Sequence, residues 1–288
     1  MKKLNLLLSI CIITLVSACG GSTNQSEESS DPETEESSDP EIKLYVFEVG
    51  DILVKDISLF NPGVDTGQTK NFTNSAYLIR HPKGDLIWDT GLPDALAQAP
   101  DGNDSQAFLM KMPKTLSAQL EEINVSPTDI EFLAVSHLHG DHTGNMNLFT
   151  SATLLLQSEE YEGLFEGETV APAVDSLRNN EFVKLTGDHD VFGDGSVVIK
   201  RAPGHTAGHQ VLYVNLPETG PIVLSGDLYH FTKNRELRGV PAFNADKEQT
   251  LKSMDSVEAF LKEQSAVLWI QHDKEQNEGI AHSPEFHK

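Results

Sequence analysis

Three histidines and an aspartate stand within six residues in His137-Leu138-His139-Gly140-Asp141-His142. Imidazole and carboxylate suit Zn, Mn, Fe or Co. No thiolate competes with them, because the two cysteines, Cys11 and Cys19, both precede residue 42. In an extended turn His137 and His139 lie on one side and reach one ion, while Asp141 and His142 fall on the next bend and reach a second. A catalytic ion takes about three protein ligands and keeps a position for water, so the cluster alone does not close two shells. Later residues can. His205 sits in Ala202-Pro203-Gly204-His205-Thr206-Ala207-Gly208-His209, where glycines free the backbone to bring an imidazole inward. Asp227 follows an apolar run and has two oxygens with which to bridge, and His272 follows the last apolar stretch. Water on such ions loses a proton near neutral pH while a second ion polarises the bond to be broken. That chemistry serves lactones, β-lactams, thioesters and phosphoesters alike.

The elements that must position these groups form a mixed α/β pattern. Residues 43–49, 75–80, 85–88, 131–135, 195–200, 210–216, 221–224 and 267–270 read as strands, being apolar and rich in β-branched or aromatic residues between polar or glycine-containing turns. The candidate ligands lie just past several of these strand ends. A helix is expected over 114–124, with Leu116, Leu120 and Ile123 on one face. A second covers 247–264, with Asp246 and Gln249 as a capping pair and Leu251, Met254, Val257 and Leu261 as its apolar stripe. No internal repeat is visible. Phe108, Leu109, Met110 and Met112, within 92–113, are candidates to line an apolar channel.

The chain has 21 basic and 44 acidic residues, a formal charge of −23. That balance argues against nucleic acid or anionic lipid as a partner, since either needs a basic face. Lys2 and Lys3 precede an apolar run over 4–16, too short to span a bilayer but suited to a signal-peptide core. The run ends Leu15-Val16-Ser17-Ala18-Cys19-Gly20, which resembles the lipobox of bacterial lipoproteins. The resemblance implies a signal peptide over 1–18, a lipid on Cys19, and a cell-envelope location, at the outer membrane facing the periplasm or secreted. The lipid is then the chain's one membrane attachment. Residues 19–41 carry eight acids and almost nothing apolar, so they form a disordered acidic tether. The globular part spans 42–288.

The 137–142 run, the glycine-flanked His205, Asp227 after a strand and the late His272 together resemble the metallo-β-lactamase fold superfamily over nearly all of 42–288. The resemblance implies an α/β (α+β) four-layer αββα sandwich with two divalent ions, zinc first and manganese, iron or cobalt as alternatives, at one edge of the sheets. Carried over by position, one ion takes His137, His139 and His205. The other takes Asp141, His142 and His272, with Asp227 and a hydroxide bridging. Asp89, in Asp89-Thr90-Gly91, falls at a strand-end aspartate and reads as orienting a ligand; His209 reads as a supporting residue. His81, His189, His282 and His287 read as surface histidines.

Stretches 202–210, 239–243 and 271–276 are particularly similar to N-acyl-homoserine lactonases. That likeness implies a small lactone or ester as substrate, attack by the bridging hydroxide on the carbonyl, and Asp141 as proton shuttle. In those enzymes a tyrosine three residues after the bridging aspartate contacts substrate; here that position is His230, between Tyr229 and Phe231. His230 and Tyr229 are both candidates for the role. The runner-up is a relative of the same fold acting on organophosphates, aryl esters or β-lactams. A metal-binding envelope lipoprotein without turnover is the non-enzymatic rival, and a homodimer is left open.

Overall fold

The computed structural model describes residues 41–166 and 172–288. The expected signal peptide, Cys19 and the tether as far as residue 40 lie outside the described residues. Among the described residues, thirteen strands form two sheets. The first holds β1 (Lys43–Val54), β2 (Lys70–His81), β3 (Gly84–Trp88), β4 (Asn103–Asp104), β5 (Phe108–Lys111), β6 (Phe132–Ala134), β7 (Thr153–Gln157) and β8 (Phe182–Leu185). The second holds β9 (His189–Asp190), β10 (Val197–Arg201), β11 (Gln210–Leu216), β12 (Gly220–Leu224) and β13 (Val267–Trp269). Their orders are β4-β5-β1-β2-β3-β6-β7-β8 and β13-β12-β11-β10-β9.

Period-two alternation divides each strand between two apolar layers. Leu44 and Val46 of β1, Tyr77 and Ile79 of β2 and Trp88 of β3 face Val197, Ile199, Leu212, Val214, Ile222 and Leu224 of the other sheet. The opposite face of the first sheet, with Phe47, Leu78, Ile87 and Leu133, is covered by Leu116 and Leu120 of the Leu116–Glu122 helix. The opposite face of the second, with Val211, Tyr213 and Val223, is covered by Met254, Val257 and Leu261 of the Lys247–Gln264 helix. Helix, sheet, sheet, helix is the expected αββα sandwich. Because both faces of each sheet are buried, the strands read as nearly continuous apolar runs.

The strand directions gather the site. β3 and β6 run parallel, as do β12 and β13, so Asp89, His137, Asp227 and His272 all leave carboxyl ends. β11 is antiparallel to β12, which brings the loop before Gln210 to the same edge. Gln210 joins the sheets there: its backbone N–H donates to the Ser136 carbonyl at 2.9 Å, and its side chain to the Val135 carbonyl at 2.9 Å.

The 210–216 strand and the 247–264 helix fall where the pattern puts them, and Asp246 caps the helix by accepting from the Gln249 N–H at 2.9 Å. β1 runs five residues further than expected. A register shift between Glu48 and Asp51 carries the strand past polar residues that mimic its end. β7 and β8 were not expected, although Leu154, Leu155 and Leu156 are all buried. His81 corrects another expectation. It is buried, stacked on Phe192 at 4.1 Å with its Nε2 3.1 Å from Asp194, because it ends β2 beneath the β9–β10 connection.

Gly144 closes the turn after the cluster, and a methyl group there would lie 2.4 Å from the Pro93 nitrogen and 2.5 Å from the Gly91 carbonyl oxygen. Those contacts are backbone and cannot swing away. Gly144→Ala should therefore destabilise the fold by about 1–3 kcal/mol. Urea denaturation measures it, and an unchanged midpoint would contradict the packing.

Candidate metal centre

β6 ends at Ala134, and the chain then turns through the cluster into the short Gly140–Thr143 helix. This turn, the 202–209 loop and the ends of β12 and β13 bring all seven candidate ligands together. His137, His139, His205 and Asp227 present ligand atoms within 4.8 Å of one another, and so, separately, do Asp141, His142 and His272. In the first group His137 Nε2 is 2.8 Å from His139 Nδ1, and His205 Nε2 is 3.2 and 3.0 Å from those two atoms. In the second, His272 Nε2 is 3.3 Å from His142 Nε2, and Asp141 Oδ2 is 3.9 and 3.8 Å from the two imidazoles. Asp227 stands between. Its Oδ2 lies 3.2 Å from His205 Nε2 and 3.6 Å from His137 Nε2; its Oδ1 lies 3.0 and 3.2 Å from the Nε2 atoms of His272 and His142.

The far nitrogens explain the aim of these rings. His272 Nδ1 is 2.9 Å from the Thr73 carbonyl, His205 Nδ1 2.9 Å from Asn244 Oδ1, and His142 Nδ1 3.0 Å from Asp89 Oδ2. All three partners are acceptors, so each Nδ1 carries a proton and each ring is left with Nε2 facing the cluster. Asp227 Oδ1 is buried without a hydrogen-bond donor. Lone pairs this close repel unless a cation lies between them, so the donor set fits two divalent ions. The protein's own field divides the rings. Burial would lower His142 and His272, yet Asp227 with Asp89 and Asp141 holds His142 well above the usual imidazole range, and Asp227 with Asp141 raises His272. Burial, reinforced by His142, drives His137 well below the usual imidazole range, and burial with His205 lowers His139. Burial alone would raise Asp227, yet His230, His142, His272 and His137 hold it well below the usual carboxylate range.

Supporting residues behave according to type. Asp89 accepts from the Ser136 N–H at 2.6 Å through Oδ1 while Oδ2 holds His142, and it does so from a left-handed φ of 55°. His209 is not in either group. Its Nε2 accepts from the Asp227 N–H at 3.0 Å and its Nδ1 donates to the Ala202 carbonyl at 3.0 Å; burial pushes it down to about 3. Sequence reasoning missed Asn74, Asn145 and Asn244. Asn74 donates to the Asp141 carbonyl at 2.9 Å, and Asn145 to the Thr90 and Leu92 carbonyls at 2.7 Å each. An isolated asparagine carries no periodic or motif signal, so burial alone could have found them.

The two candidates after Asp227 part company. His230 is buried, its ring 4.5 Å from that of Phe60 and its Nε2 3.2 Å from Asp227 Oδ2. Tyr229 is a correction: its hydroxyl donates to Glu258 at 2.9 Å and its ring packs with Met254 and Val257 under the Lys247–Gln264 helix. Extended backbone at Tyr229 sends adjacent side chains to opposite sides, so it does not reach the cluster. His189, His282 and His287 join neither group. A cavity of about 490 Å³ opens against the cluster, and Phe108 and Met110 line it. Leu109 and Met112 do not: alternation along β5 turns Leu109 away, and Met112 is buried with Phe72 and Phe231.

A family model described as the metallo-beta-lactamase superfamily matches residues 70–263. The N-acyl homoserine lactonase AttM of Azorhizobium caulinodans is 29% identical over 248 residues, covering 81% of this chain and 93% of its own. The N-acyl homoserine lactonase AiiA of Bacillus thuringiensis subsp. kurstaki is 27% identical over 251 residues, covering 85% and 98%. A crystal structure of an N-acyl homoserine lactone hydrolase, with its product N-hexanoyl-L-homoserine at the catalytic metal centre, superposes with a TM-score of 0.72 at 27% identity, covering 85% of this chain and 98% of that one.

Replacing the Asp89 carboxylate by an amide removes the charge that holds His142 Nδ1–H. Asp89→Asn should weaken binding of one of two ions by about 10–100-fold. Competition with a chromophoric chelator reads this, and parent-like affinity for both ions would show that Asp89 does not orient His142.

Proposed function

The chain belongs to the metallo-beta-lactamase superfamily, and on that premise we propose that it opens the ring of N-acyl-homoserine lactones or related lactones. One observation carries the reading: the apolar cavity beside the donor cluster. Its wall is Ile52, Phe60, Phe72, Leu92, Phe108, Met110 and Phe243, and its floor His139, Asp141, Asp227, His230 and His272. A compact polar ring bearing an alkyl tail matches that division. A polyanionic phosphoester does not, since the wall offers it no cation. The lactonase relatives support the same substrate class.

His137, His139 and His205 would hold one ion and Asp141, His142 and His272 the other, with Asp227 between them; we assign both as zinc. When bound, the pair supplies a water-derived nucleophile near neutral pH and Lewis-acid polarisation of the carbonyl. The protein does the rest. The phenylalanines seat the acyl tail, each buried methylene contributing about 0.8 kcal/mol, and so fix the ring over the cluster. Asp141 is the more exposed of the two cluster carboxylates, at 27% against 6% for Asp227. It accepts the proton of the attacking water and returns it to the ring oxygen as the carbonyl C–O bond breaks, leaving an N-acyl-homoserine. His230, on the cavity floor, occupies the place beside the ring that Tyr229 does not.

We further infer export and lipid anchoring at Cys19, supported by the lipobox-like 15–20 segment and the acidic stretch that follows. Among the described residues no helix is long and apolar enough to cross a membrane.

Two measurements test these readings. Purified protein is expected to carry two ions per chain and to hydrolyse acyl-homoserine lactones in a pH-drop assay far faster than paraoxon or a β-lactam. Asp227→Asn should lose both ions and turnover; an inert parent, or a fully active Asp227→Asn, would sink the lactonase reading or the two-ion scheme respectively. For the anchor, labelled palmitate should enter the full chain and not its Cys19→Ser variant, and equal labelling would refute lipidation there.

A further inference from the structure

We propose that Glu160 is a positioning residue for the metal centre, a buried carboxylate that clamps together the two chain segments carrying His137, His139 and His205. The proposal rests on the two-ion reading above.

Glu160 lies on the short Ser158–Tyr161 helix after β7, and its side chain is fully buried. A carboxylate without a paired cation is costly in such a place. Its neighbour Glu159 takes Arg201, whereas Glu160 is met by neutral donors from the site loops. Its Oε1 accepts from the Thr206 hydroxyl at 2.6 Å and from the Gly208 N–H at 2.8 Å, one and three residues beyond His205. The second oxygen, Oε2, is buried without a hydrogen-bond partner, and the backbone amide of Leu138, between His137 and His139, acts on the same carboxylate electrostatically.

The packing is built for this contact. A methyl group on Gly208 would lie 2.9 Å from Glu160 Cγ and 3.0 Å from its backbone nitrogen, so only glycine lets the loop approach. A methyl group on Gly163 would meet Leu138 Cδ2 at 2.7 Å, so the segment after Glu160 also lies against the ligand turn. A carboxylate has two acceptor oxygens and no donor, which is the complement that converging hydroxyl and amide donors require. Asn244 fixes the His205 ring from one side at 2.9 Å, and Glu160 fixes its backbone from the other.

The test uses the parent chain, Glu160→Met, Glu160→Gln and Thr206→Val, each titrated with cobalt(II). The three-imidazole set and the two-imidazole set absorb differently in the visible, so loss at each can be followed. Glu160→Met should weaken the three-imidazole set by about 10–100-fold and leave the other near parent affinity. Amide exchange across 205–208 should quicken in the metal-free protein. Glu160→Gln keeps an oxygen for Thr206 and Gly208, so it should fall between parent and Glu160→Met. If Glu160→Met does not fold, Thr206→Val carries the test, with a smaller loss at the same set. Parent-like binding and exchange in the variants, or equal loss at both sets, overturns the proposal. A parent that takes up no second ion defeats the two-ion reading instead, and exchange in the metal-free proteins still decides the clamp.

Discussion

Asp227 turns one carboxylate oxygen toward each group of donors, and the site is organised around keeping it buried between them. Left alone, such an arrangement is hostile. Inward lone pairs from imidazoles repel one another and the carboxylate, and burial removes the water that would screen them. Two cations relieve all of it at once. The same condition makes the scaffold exacting, because ions hold ligands in place only if the ligands reach them without distortion. The rings of His272, His205, His142 and His137 are therefore held from behind before any ion arrives, by Thr73, Asn244, Asp89 and Ser136 respectively.

Those outer contacts come from different parts of the chain, which is why the fold is needed. The Thr73 carbonyl belongs to β2 in the first sheet, whereas His272 follows β13 in the second. Asp89 follows β3 and grips both Ser136 and His142, tying the end of one strand to the turn after its parallel neighbour. Gln210 spans the two sheets at the same edge. The strain stored in the left-handed backbone of Asp89 is of the order of 1 kcal/mol and is tolerated because two contacts over-determine the residue.

How much of this was legible follows from what leaves a pattern. The two donor groups were, because a divalent ion demands particular side chains and a turn allows them only at close spacing; His137 through His142 satisfy that within six residues. The αββα architecture followed from the family resemblance, and the alternating apolar layers agree with it. The supporting asparagines were not legible. Asn74 and Asn145 act through carbonyls of distant residues, and no local spacing encodes such a contact. Tyr229 shows a different blindness. It is the right residue type one position out of register, and in extended chain one position is the opposite face, so the helix core claims it.

The cavity and the cluster obey separate physics, and this separation explains why chemistry is easier to infer than substrate. The cluster must balance charge, and few residue types do so. The cavity wall needs only apolar bulk, which Ile52 from β1, Phe108 and Met110 from β5 and Phe243 from the loop before the last long helix all provide. Phe243 remains 46% exposed, so the wall is unfinished at its mouth and a longer tail meets less protein as it extends. Burial energy scales with area. The enclosed part of the cavity therefore sets affinity for the first few methylenes, and the open rim at Phe243 contributes progressively less to those beyond it.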